Sequence, residues 1–140
     1  MTKKHFLGLL GSMLVLYGVI SAITEMNNTW YTPFIIGGTI VMGYLNNLKK
    51  NESLFTKKTF SQKIVKIYAL YLTAGILIEI VGRGFLNLWD YPGLNWQQQV
   101  IHVIVIGYPF ALFMTYELFI FIKNIIKSFD NCNIFSMSAD

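Results

Sequence analysis

Three side chains stand out chemically from the apolar chain around them: Glu79, Arg83 and His102. A carboxylate, a guanidinium and an imidazole together can hold a polar head group, move a proton or lock two helices. Glu79 precedes Arg83 by four residues, the favourable order for an i,i+4 ion pair on a helix. Both fall inside the apolar run "YLTAGILIEIVGRGF". Each strongly apolar residue favours membrane insertion by roughly 0.3–0.6 kcal/mol. A charge at mid-depth costs about 2.5–3.5 kcal/mol. The two charges must therefore be shallow, paired or turned toward protein.

The elements that position them come from the apolar runs. Four stand out, at about 6–23, 31–48, 64–85 and 99–122. Each is near or above the ~18 residues that mark a spanning helix. They are too long for strands and lack period-2 alternation. Hydrophobic residues make up 54% of the chain and charged ones 13%, against roughly 25% charged in a soluble domain. The expected fold is all-α, an integral membrane four-helix bundle forming a single domain.

Basic residues set the expected direction. Of eleven, only Arg83 is an arginine. The lysines precede the first run, fill the stretch between the second and third, and follow the fourth. With four alternating helices they share one side. The positive-inside rule then puts both termini in the cytoplasm, with a basic cytoplasmic loop at 49–63 and a polar cytoplasmic tail at 124–140. Leu54, Phe55 and Phe60 among the loop lysines suit a segment lying on anionic head groups. Trp30, Trp89 and Trp96 all fall on the outer side, as interfacial anchors do. The first run is read as an uncleaved helix, longer than the apolar stretch of a signal peptide.

Depths then bring the chemistry together. At 1.5 Å per residue Glu79 lies about 20 Å from Lys66 and Arg83 about 6 Å further out. His102 lies about 9 Å inward of Trp96, near the height of Glu79. The third and fourth helices share a short connection and should be antiparallel neighbours. The expected site is an outer-leaflet cluster of Glu79, Arg83 and His102, rimmed by Gln98 or Gln99 and capped by "LWDYPGLNW" with Trp89 and Tyr91. Pro92 and Gly93 favour a turn there. Glu117, about 22 Å along the helix from His102, is expected to be structural, with Tyr68 as its partner. Pro109 should bend the fourth helix and free a carbonyl. Gly8, Gly11 and Gly18 on the first helix and Gly37, Gly38 and Gly43 on the second suggest close helix packing, with a homo-oligomer as an alternative use.

Other chemistries find no residues. Cys132 is the only cysteine, so no internal disulfide or cysteine-held metal forms. His5 and His102 sit at opposite ends of the bundle. No metal or cofactor is expected, and no phosphate loop, nucleophile elbow or nucleic-acid module appears.

At "EIVGR", "LWDYP" and "GYPFALFMTYE" the second half resembles uncharacterised small four-helix bacterial membrane proteins. It is similar more faintly to lycopene-cyclase-type membrane domains, which also place acidic residues in helices and a proline in a late span. That family has an acidic pair directly after its proline, where this chain has Phe110 and Ala111. The resemblance implies a lipid-like or isoprenoid ligand. The reading is a multi-pass cell-membrane protein, in a bacterial cytoplasmic membrane. It binds an amphiphile or membrane partner at the cluster, with Arg83 holding an anionic head, Glu79 orienting Arg83 and His102 as a donor switchable near neutral pH. An enzyme acting on a lipid and a proton-coupled transporter subunit are the alternatives.

Overall fold

In the computed structural model of the chain, residues 3–25, 28–49, 53 and 60–137 are described, and their side chains over 5–25, 28–48, 53 and 64–128. The basic loop, apart from Ser53, and the side chains of the tail from residue 129 lie outside that description. Among the described residues the chain is all-helical. Helix α1 is Lys3–Ile23 and α2 is Tyr31–Lys49. A third rod joins α3, Phe60–Ile78, to a π-helical segment π1, Glu79–Phe85. A fourth joins a short α4, Trp96–Gln98, to π2, Gln99–Gly107, and to α5, Tyr108–Met137. The last helix thus continues through most of the residues read as a polar tail.

Three of the four rods are long and apolar enough to cross a membrane: His5–Ile23, Ile64–Phe85 and Trp96–Ser128. The second has the length, but its lower apolarity keeps it out of that set. Its position gives the reason. The rods pack in a row, α1 on α2, α2 on the fourth rod and the fourth rod on the third. Among the described residues no close backbone approach joins α1 to α3, so the four-helix bundle is an open one. Helix α2 is flanked by protein on both sides, where Thr32, Thr39 and Asn46 are buried.

Glycine sets the α1–α2 spacing. A Cβ at Gly37 would stand 2.6 Å from the Gly11 carbonyl oxygen, and one at Gly18 would press on Phe34. The neighbouring Gly38 faces the other way, against Met114 of α5. One glycine-rich stretch thus admits both neighbours at close range.

The distribution of polarity is inverted relative to a water-soluble core. Among the described residues Val103, Pro109 and Phe113 are the larger buried apolar side chains, whereas Ser21, Thr39, Asn46, Glu117 and Asn124 are buried polar ones. Met13, Leu16, Leu70, Leu77 and Phe119 face outward. Most buried polar groups are hydrogen-bonded. Glu117 accepts from Asn46 Nδ2 at 2.6 Å and from Ser53 Oγ at 2.9 Å.

Candidate functional site

The site is built where the third and fourth rods change winding. At the end of π1 the Leu86 N–H reaches the Val81 carbonyl, five residues back. At the end of π2 the Tyr108 N–H reaches Val103, also five back. Such i→i+5 winding is rare and concentrates at functional sites. Pro109 follows directly after Tyr108 and brings no N–H to its turn. In that turn the Val105 carbonyl accepts the Tyr68 hydroxyl at 2.7 Å.

Between the two π segments the chain folds back on itself. Asn87 adopts a positive φ of 53°, which asparagine tolerates, and turns the chain out of π1. The Leu88 N–H then bonds the Gly82 carbonyl. Trp89 lies over Gly82, where any Cβ would overlap the indole. Pro92 and Gly93 form the expected turn: the Leu94 N–H reaches the Tyr91 carbonyl, and Gly93 has φ 82°, the type II requirement. Asn95 and Gln98 close a capping box that starts α4.

Glu79 is the hub. Its Oε1 accepts from the Tyr91 hydroxyl at 2.5 Å, the Tyr108 hydroxyl at 2.8 Å and Trp89 Nε1 at 3.4 Å. Arg83 donates from Nη1 to Gln99 Oε1 and from Nη2 to Asp90 Oδ1 at 2.9 Å. Its Cζ stands 5.5 Å from the Tyr91 ring centre, within cation–π range. Gln99 also donates to the Leu94 carbonyl, fastening the loop to π2. Burial, and then the bond to Glu79, pushes the Tyr91 phenol from 10.0 up to about 12. It therefore stays a donor at neutral pH.

These groups wall a cleft of about 600 Å³. Its polar end is Glu79, Arg83, Trp89, Asp90, Tyr91 and Gln99, and its apolar end Ile76, Ile80, Val103 and Ile104. That size and mixture suit a small organic ligand.

The structure brings several of the expected residues together and pairs others differently from the sequence reading. Glu79 and Arg83 share the cleft yet form no ion pair with each other: Asp90 and Gln99 take the guanidinium, and two phenols and an indole take the carboxylate. An exposed loop carboxylate reaches Arg83 with less desolvation than a second intrahelical charge. His102 does not join them. Its Nδ1 lies 3.1 Å from Thr32 Oγ1 of α2, on the other side of the fourth rod. In i→i+5 winding each residue turns through a smaller angle than in an α-helix. Residues three apart, such as Gln99 and His102, no longer share a face. Gln98 serves the helix cap and does not line the cleft. Tyr68 does not meet Glu117; it bonds the Val105 carbonyl, while Glu117 turns to α2. The side chains missed as partners are Asp90 and Tyr108. Asp90 carries the one signal available beforehand, an acidic residue seven positions from the only arginine.

No protein-family model, curated protein or solved structure matches this chain.

Proposed function

We propose that this is an integral membrane protein whose four rods all cross the bilayer, with both termini cytoplasmic, and that the cleft binds an amphiphilic molecule in the outer leaflet. The carrying observation is the cleft itself. A hydrogen-bonded polar rim stands directly above an apolar wall, and that wall continues into exposed Ile76 and Ile80. A ligand with a polar head and a hydrocarbon tail matches both ends, and the open side gives it lateral entry from lipid.

The inverted polarity supports insertion, since outward leucines and phenylalanines meet acyl chains at no cost. The one-sided lysines support the orientation. The enzymatic alternative needs an acid–base partner for Glu79, and His102 is turned toward Thr32 instead.

Mass spectrometry of lipids retained on the purified protein tests the binding reading. Wild type should carry an amphiphile that Ile80→Trp, which fills the cleft, loses while remaining helical. Identical lipid profiles in the two proteins would defeat it. Orientation is tested with Cys132, the sole cysteine. An impermeant maleimide should label it only after the cells are opened.

A further inference from the structure

The cleft has a sign. Two carboxylates, Glu79 and Asp90, face one guanidinium, Arg83, leaving a formal charge of −1 in its lining. Arg83 is already committed, with Asp90 and Gln99 on its two Nη atoms and the Tyr91 ring beside it. Glu79 is less so. All three of its donors converge on Oε1, and among the described residues none reaches Oε2. Trp89, Tyr91 and the exposed Trp96 add aromatic faces to the same lining. Aromatic faces attract cations, and alkylammonium heads most typically.

We infer that the ligand's head is a cation of the alkylammonium class, carried on an apolar tail that lies along Ile76, Ile80 and Ile104. The inference rests on the amphiphile-binding reading and adds the head group's charge. It reverses the expectation that Arg83 holds an anion. An anionic head entering here meets net negative charge and has to displace Asp90 from Arg83 before finding a partner. An ammonium head meets Glu79 and the indoles with every existing bond intact.

The test uses the full chain in alkyl maltoside micelles. Hexyltrimethylammonium, hexyl sulfate and hexanol are titrated separately, and tryptophan fluorescence and the thermal midpoint are read. Trp89 and Trp96 line the cleft, so occupancy changes their emission. Hexyltrimethylammonium should bind about tenfold tighter than either competitor, the scale of one cation–π and charge contribution. Glu79→Gln should remove that preference. Asp90→Asn, on an exposed loop residue, should cut it at least threefold and serves if Glu79→Gln does not fold. Hexyl sulfate or hexanol binding as tightly as the ammonium overturns the head-group assignment and leaves the amphiphile reading standing. If none of the three binds, both fall.

Discussion

At the residue scale the molecule depends on where hydrogen bonds to Glu79 originate. Three donors, two from the loop and one from α5, meet one oxygen. Removing that acceptor strands Tyr108 and Tyr91 together, and an unsatisfied buried group costs about 1–3 kcal/mol. Glu79→Ala should therefore lower the thermal midpoint in detergent by roughly 3–10 °C, and Glu79→Gln, which keeps one acceptor oxygen, by less. Equal midpoints for Ala and Gln would show that the hub carries no stability. Tyr91 adds a pH signature. Its phenol holds its proton more tightly in the fold, near 12, than at its ordinary 10.0. The stabilisation is complete below pH 10 and disappears between pH 10 and 12, as the unfolded phenol ionises first. Thermal midpoints followed from pH 8 to 12 should fall in that window, and the step should shrink in Tyr91→Phe.

At the element scale the two π segments decide which side chains share the cleft, and Pro109 is the residue that ties winding to packing. Tyr68 donates to the Val105 carbonyl, in the turn that Pro109 leaves short of one N–H. Tyr68→Phe should cost about 0.5–1.5 kcal/mol. In a Pro109→Ala background, where a backbone N–H returns to that turn, the same change should cost clearly less. A double-mutant cycle read by thermal unfolding checks this, and strict additivity would break the link. This scale also shows what a sequence can convey. The rods were legible because length and apolarity are properties of composition. The Pro92–Gly93 turn was legible because each residue demands its own φ. Winding was not legible. Nothing in "QVIHVIVIG" has a period that separates i→i+5 from i→i+4, so the side of the fourth rod carrying His102 was misjudged. The Asp90–Arg83 pair had only its spacing as a signal, because it is the loop's fold, with Trp89 over Gly82, that brings the two together.

At the scale of the whole molecule, α2 holds the row together. Among the described residues helix α1 packs on α2 alone, and α2 meets the fourth rod through buried polar side chains. Asn46, fully buried, donates to both the backbone and the carboxylate of Glu117, and Thr39 reaches the Phe110 carbonyl. These bonds and the Gly38–Met114 contact join α2 to the fourth rod. Asn46→Leu keeps roughly the side-chain volume but takes one donated bond from the Glu117 carboxylate and one from its backbone carbonyl, at a residue with no solvent exposure. Removing one partner of a buried charge costs about 3–5 kcal/mol, partly offset here by the Ser53 hydroxyl. The expected result is selective loosening of one seam. Hydrogen exchange in nanodiscs should rise along α2 and α5 facing each other and remain low where Gly11 packs on Gly37. Adding Glu117→Gln to Asn46→Leu should recover much of the loss, because the amide needs no compensating donor for a charge. Exchange rising uniformly over all four rods would instead mean that the row behaves as one cooperative unit with no special seam at Asn46.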